Sequence, residues 1–264
     1  MKKNYLLLVT LMMMFVLVLA ACGTTDDPGT VNDAENGNVE ENSDKKLVMA
    51  TSADYPPFES RNPQGEIVGF DIEIANYIAD ELGMELEIRD MNFDGLIGAL
   101  QANRVDMVIS GMSADEDRRK NVDFSIEYHR SGEMFVSLKD AAFTSLDDLN
   151  GTIIGVQLGS IQQEGAATLQ EDYDFEVKAL DDAQGLIQEL LNNRVDAVYL
   201  DKEVALGFIQ DQDLAGFDDP SGTTPGMAVA LPKGSDLVEQ VDAILEQAIE
   251  TGKLAEWEAE WLSE

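Results

Sequence analysis

A thirteen-residue segment occurs twice in this chain. Residues 96–108 read LIGALQANRVDMV and residues 186–198 read LIQELLNNRVDAV. The copies align without a gap and share the Leu-Ile start, a third leucine and the run Asn-Arg-Val-Asp. Each begins with apolar residues at helical spacing and ends in a short apolar run, the pattern of a helix feeding a strand. That pairing is part of a βαβ crossover. Length alone, 264 residues, allows one large domain or two small ones. The repeat favours two similar α/β lobes. Gly111 stands just past the first copy's strand, and the matching position in the second is Asp201. Different polar groups at corresponding strand ends predict a cleft between the lobes, because ligands of parallel sheets sit at the carboxyl ends of the strands.

Residues 103–118, NRVDMVISGMSADEDR, carry the first candidate site. The run 105–109 has the apolar character of a buried parallel strand. A glycine then breaks it, and Ser113 followed three places later by Glu116 is the signature of a capping box at a helix start. Arg118 falls in or near the first turn of that helix. A strand end, a glycine, a helix N-terminus and an arginine together make an anion site. Free backbone N–H groups face the ligand, and the guanidinium fork suits a carboxylate. Taken alone, Arg118 also reads as one surface charge on an acidic, solvated helix.

The formal net charge of −35 excludes one class of partner. A surface this acidic repels nucleic acid and anionic membranes. All acidic residues lie beyond residue 22, so loss of Lys2 and Lys3 by cleavage there takes the charge from −35 to −37. Those two lysines precede a run from residue 5 to 21 interrupted only by Thr10, the pattern of a signal peptide. The run is short for a span of ~20 apolar residues and has no stop-transfer flank. It ends Leu19-Ala20-Ala21-Cys22-Gly23. Cys22 is the single cysteine, so the fold contains no intrachain disulfide. Residues 23–44 hold seven acidic side chains, no basic one and no aromatic, which predicts a disordered tether over 22–45.

Globular sequence begins near Lys45. The run 46–51 reads as a first strand, and the loop 52–59, SADYPPFE, is stiffened by two prolines. Ala75, Ile78, Ala79 and Leu82 give a helix one buried face, ended by Gly83. Residues 85–89 alternate as a second strand, and Asn92-Phe93-Asp94 opens the first repeat helix. A crossing strand is expected over 133–138. A fresh lobe then starts with strand 152–157, a helix at 162–169 and a strand at 175–180. Ala183, Leu186, Ile187, Leu190 and Leu191 mark the second repeat helix. Strand 197–200 delivers Asp201, residues 227–231 read as a second crossing strand, and a helical tail from 236 to 261 is divided by Gly252.

Several of these stretches resemble, in the right order, solute-binding proteins of ABC importers in the polar amino-acid family (family 3). They are TSADYPPFE, GEIVGFDIEIA, FDGLIGALQANRVDMVISGMS, RRKNVDFS and VDAVYLD, and the resemblance covers about residues 46–262. It implies a type II periplasmic-binding-protein fold, two α/β lobes hinged by two strands and closing like a flytrap on an amino acid. Lobe 1 would take 46–130 and 226–264, and lobe 2 would take 131–225. Arg118 would clamp the α-carboxylate, helped by Ser113 and the backbone N–H near Ile161. Asp201 would accept the α-ammonium beside the Gly111 carbonyl and the Ser113 hydroxyl. Tyr55 and Phe93 match positions whose rings sandwich the substrate side chain, although both also suit plain core packing. Ser52, Ser110, Gly159, Ser160 and Gln162 complete the ligand contacts so implied. The residues around Cys22 resemble a bacterial lipobox, which implies cleavage after residue 21, lipidation of Cys22 and attachment to the outer face of the bacterial cell membrane. The partners implied are a free amino acid, a membrane permease and its ATPase, with the binding protein acting as a monomer.

One departure bears on the substrate. Where binders of cationic amino acids often carry an aspartate, this chain has Ser52, with Asp54 and Glu59 close by and Gln157 and Gln162 in the other lobe. A polar or uncharged side chain is therefore favoured, with arginine and lysine left open. The rival classes are a small-molecule lyase and a ligand sensor of the same fold. The single histidine, His129, is expected near the hinge, away from the strand ends, and the lipobox resemblance would commit Cys22 to lipid. The paired charges of Arg118 and Asp201 suit holding an amino acid, with no metal or cofactor expected.

Overall fold

The computed structural model describes residues 45–221 and 224–263. The expected signal peptide, Cys22 and nearly all of the expected tether lie outside the described residues. Strand β1 (Lys46–Thr51) leads into a small antiparallel sheet of β2 (Asp54–Tyr55), β3 (Glu59–Arg61) and β4 (Ile67–Val68). Helix α1 (Phe70–Leu82), β5 (Glu85–Asp90), α2 (Leu96–Gln101), β6 (Met107–Val108), the one-turn helix α3 (Glu116–Arg119) and β7 (Val122–His129) follow. The chain then crosses to β8 (Glu133–Leu138), β9 (Ile153–Gln157), α4 (Ile161–Leu169), β10 (Glu176–Leu180), α5 (Ala183–Leu191), β11 (Ala197–Asp201), α6 (Lys202–Asp211) and β12 (Leu214–Asp218). It returns through β13 (Met227–Pro232) to α7 (Leu237–Glu250) and α8 (Lys253–Trp261).

Two five-stranded sheets result, ordered β5-β1-β6-β13-β7 and β10-β9-β11-β8-β12. In each, the first three strands are parallel and in the same relative order. In each, the fourth place belongs to a strand arriving from the other half of the chain, antiparallel to both neighbours. The chain thus crosses between two α/β lobes twice, once between β7 and β8 and once between β12 and β13.

The central strands are buried on both faces, as parallel strands under helices must be. In β11, Val198 and Leu200 join a core with Leu186, Ile187 and Leu190 of α5, while Ala197 and Tyr199 join another with Ile154, Val156 and Ala166. In the same way Leu47 and Met49 of β1 pack with Ile74, Ala75 and Ile78 of α1, and Ala50 packs with Leu96 and Leu100 of α2.

The repeated Asn-Arg-Val-Asp proves to be architectural. Asn103 and Asn193 both take a positive φ, 51° and 55°, where each helix turns into its strand. Asparagine tolerates that left-handed position better than other side chains. The buried Val105 and Val195 follow. Asp106 and Asp196 then each accept a backbone N–H of the neighbouring strand, from Val48 and Ile153, both at 2.8 Å.

Candidate functional site

The carboxyl ends of β1, β6, β9 and β11 meet between the lobes, and every candidate residue but Phe93 lies on a segment leaving one of them: Ser52 and Tyr55 after β1, Ser110 to Arg118 after β6, Gly159 to Gln162 after β9, and Asp201 at the end of β11. Arg118 is held by groups of the protein itself. Its N–H is taken by the Asp115 side chain, the N-cap of α3, at 2.8 Å. Asp115, not Ser113, therefore starts this helix, and the expected Ser113–Glu116 capping box does not form. Ser113 is instead held extended by a bridge to Met227, which leaves its side chain to the cleft. The Arg118 guanidinium pairs through Nε with Asp115 at 3.1 Å and donates from Nη1 to the Ser113 carbonyl at 2.8 Å. From Nη2 it donates across the cleft to the Gly159 carbonyl at 3.0 Å, and it lies 5.3 Å from the Phe93 ring centroid. It is 9% exposed, and burial pulls its pKa down. A guanidinium nonetheless stays protonated.

Asp201 faces it from the other lobe. It occupies the N-cap position of α6 but makes no side-chain capping bond. Its carboxylate turns into the cleft, where Oδ2 accepts the Tyr55 hydroxyl at 2.7 Å and the Gln162 amide at 3.1 Å. Oδ1 is buried with no hydrogen-bond partner among the described residues. Burial pushes the carboxyl up to about 7, against the lowering effect of the Tyr55 and Gln162 bonds. An unpaired buried carboxylate oxygen is unfavourable unless something cationic or donating meets it.

Tyr55, Phe93, Ser110, Gly111, Ser113, Arg118, Gln157, Ser160, Ile161, Gln162 and Asp201 line one cavity. The space left inside is about 10 Å³, enough for about one water, so the cleft stands nearly shut. The first turn of α4, capped by the Ser160 hydroxyl on the Gln163 N–H at 3.2 Å, forms part of the wall. Its N-terminal dipole adds to the attraction for an anion. Gly111 has φ 52°, and the Tyr55 ring lies 3.4 Å from where a Cβ would stand. A side chain there would be strained and would crowd that ring.

Two expected contacts fall outside the lining. Ser52 is buried beside it, its N–H on the Ser110 hydroxyl at 3.0 Å and its own hydroxyl on Asp54 at 2.8 Å. Gly159 serves instead as the acceptor for Arg118. Glu59 and Asp71 are fully buried beneath the cleft. Ser110 donates to Glu59 at 2.8 Å, and the Gly111 N–H and Tyr128 hydroxyl donate to Asp71 at 2.6 and 3.0 Å. Burial raises Glu59 well above the usual carboxylate range and Asp71 to about 6. These acids pin the 110–111 loop and do not line the cavity. Gln157 lines it; its place at the end of β9 was the available signal. His129 lies at the hinge, its Nδ1 3.2 Å from Glu258 and its Nε2 3.7 Å from Glu203, packed against Phe58 and Phe70. A larger space of about 560 Å³ between Pro56, Pro57, α6 and the end of α8 has no lysine or arginine in its wall. Among the described residues, no three His, Cys, Asp or Glu side chains are grouped to hold a metal.

Two α/β lobes meeting over a buried arginine and a buried aspartate have the architecture of a binding protein for a small solute. The model of the bacterial extracellular solute-binding proteins, family 3, matches residues 47–264, and the chain belongs to that family. It is 39% identical over 266 residues to the arginine-binding extracellular protein ArtP of Bacillus subtilis, covering 100% of this chain and 99% of that protein. A probable histidine-binding protein of Campylobacter jejuni is 32% identical, with 88% of each chain covered. Among solved structures, the substrate-binding protein of an amino-acid ABC transporter superposes with a TM-score of 0.79 at 38% identity, over 83% of this chain and 100% of that one.

Proposed function

We propose that this chain captures a free amino acid outside the cell and delivers it to a membrane permease driven by an ATPase. The observation that carries the reading is the buried, unpartnered Oδ1 of Asp201 in the same cavity as Arg118. A zwitterion needs one cation and one anion a few ångströms apart, and low polarity strengthens both bonds. In this reading Arg118, Ser113 and the α4 N-terminus at Ile161 take the α-carboxylate. Asp201 takes the α-ammonium with the Gly111 carbonyl and Ser113 hydroxyl, and Tyr55 and Phe93 enclose the side chain. Residues 46–130 with 226–264 form one lobe, and 131–225 form the other.

The lobes must part for entry, because the shut cavity is smaller than an amino acid. On closure the ligand's ammonium competes with the Tyr55 hydroxyl for Asp201, and its carboxylate competes with the Gly159 carbonyl for Arg118. Ligand contacts from both lobes then favour the closed state. Gln157 and Gln162 in the wall suit a polar side chain, while relatives named for arginine and histidine favour the cationic alternative over an uncharged one. Lipidation at Cys22 would hold the monomer at the outer face of the membrane. The protein binds its amino acid unchanged, so no step of chemistry is assigned to it.

A thermal-shift screen against the twenty amino acids tests the reading, because a ligand of the native state alone raises the melting temperature. Arg118→Ala and Asp201→Ala should each abolish most of the shift while leaving the protein folded. Undiminished affinity in either variant would overturn the site assignment.

A further inference from the structure

Asp54 belongs to lobe 1 but spends its carboxylate on lobe 2. Its Oδ2 accepts the Ala183 N–H at 2.6 Å and the Gln157 amide at 3.2 Å, both across the cleft. Its Oδ1 is steadied by the Ser52 hydroxyl on its own lobe. Ala183 is the first residue of α5, so its N–H has no partner within the helix. The helix's own cap, Asp182, takes the next two N–H groups, of Gln184 and Gly185, at 2.7 and 3.2 Å. The remaining donor of that turn is therefore satisfied from the opposite lobe. The Gln157 amide, which faces the ligand cavity, is held between Asp54 and the Asp181 carbonyl, the latter at 3.3 Å.

We infer that Asp54 is a positioning residue for capture, a latch that holds the lobes shut and fixes Gln157 without touching the ligand. The inference rests on the cleft being the amino-acid site. When the lobes part, Asp54, Ala183 and Gln157 exchange their mutual bonds for water. When they close, a charged acceptor meets a helix N-terminus, a stronger arrangement than a neutral pair. The latch exists only in the closed state, so a bound ligand must wait for it to break before escaping.

The test uses the full chain as wild type, Asp54→Ala, Asp54→Asn and Ser52→Ala, with L-arginine and L-glutamine as probes. Dissociation of each bound probe from Asp54→Ala should be about tenfold faster, the effect of losing one charge-assisted bond. Asp54→Asn, which keeps an acceptor oxygen, and Ser52→Ala should fall between that variant and wild type. Hydrogen exchange without ligand should quicken in Asp54→Ala across 91–95 and 159–163, where Gly159 meets Asp94 and Arg118 away from the lost bonds. Equal dissociation rates with unchanged exchange would overturn the latch. A loss confined to arginine would overturn it too, because Asp54 would then be meeting the ligand's cation. If wild type binds neither these nor any other amino acid, the function proposed above falls, and the exchange measurement still judges Asp54.

Discussion

Glu59 shows how differently a residue can behave from its type. In sequence it is one acid among many near the cleft, and it offered a partner for a cationic ligand. Folding seals it at 0% exposure beside Asp71, with Ser110 as its donor. Its folded carboxyl keeps a proton to a pH well above the ordinary value of 4.5, because burial penalises the charge and Asp71 repels it. The unfolded chain releases that proton near 4.5, so between the two values the native state binds more protons than the unfolded state. Stability contributed by this group is therefore present at low pH and is lost as pH rises through that window. Asp71, raised from 3.8 to about 6, works in the same direction. Glu59→Gln keeps an acceptor for Ser110 and places a donor toward Asp71. It should raise the melting temperature at pH 8 and flatten its decline between pH ~5 and ~8, read by calorimetry across that range. A variant that melts lower than wild type at pH 8 would contradict this.

Among elements, the loop between β9 and α4 packs tightly against the opposite lobe. Gly159 has φ 77°, and a Cβ there would stand 3.2 Å from both Cα and Cβ of Asp94 in the opposite lobe. Gly151 has nearly the same φ, 79°, with nothing within 4 Å of its would-be Cβ. Alanine at either position incurs the same left-handed backbone penalty, about 1–2 kcal/mol. Only Gly159→Ala also wedges the cleft. It should weaken amino-acid binding several-fold by calorimetry, whereas Gly151→Ala should lower stability and leave affinity as it is. Equal affinities in the two variants would remove Gly159 from the closing surface. Periodic elements were legible in advance: α1 and its Gly83 stop, α5, and the division of the tail at Gly252, whose φ of 77° ends one helix and starts the next. Helix α6, strand β12 and the small sheet β2-β3-β4 were not read. Two- and three-residue strands are too short for a period, and α6 follows β11 without an intervening turn. The helix after Gly111 was placed near the right position but with the wrong cap, because two capping residues, Ser113 and Asp115, compete within three positions. The bridge from Ser113 to Met227, more than a hundred residues away, decides between them.

At the scale of the whole molecule, two lobes exchange one strand each across a paired crossing, so that closure can bring strand ends together without unfolding either sheet. A charge of −35 surrounds a cleft whose own charges are opposed and buried. If Cys22 is the lipid attachment site of the exported protein, Cys22→Ser should shift it from the membrane fraction to the medium, read by fractionating cells that produce each form. Retention on the membrane would exclude that anchor. By itself the sequence determined the α/β class, the doubling of the βαβ unit and which residues end the strands. Those follow from local periodicity, turn chemistry and a repeat with a 90-residue offset, all visible along one dimension. Tertiary structure alone decided what those strand ends face. Only the meeting of β1, β6, β9 and β11 turns Asp201 from a helix cap into a cleft carboxylate whose Oδ1 has no partner among the described residues, while packing against Ser110 and Asp71 puts Glu59 out of reach. The same meeting hands Asp54 to a helix in the other lobe. The physical reason is burial: the environment that desolvates a carboxylate or satisfies a backbone donor is assembled from segments a hundred residues apart, and no local pattern encodes it.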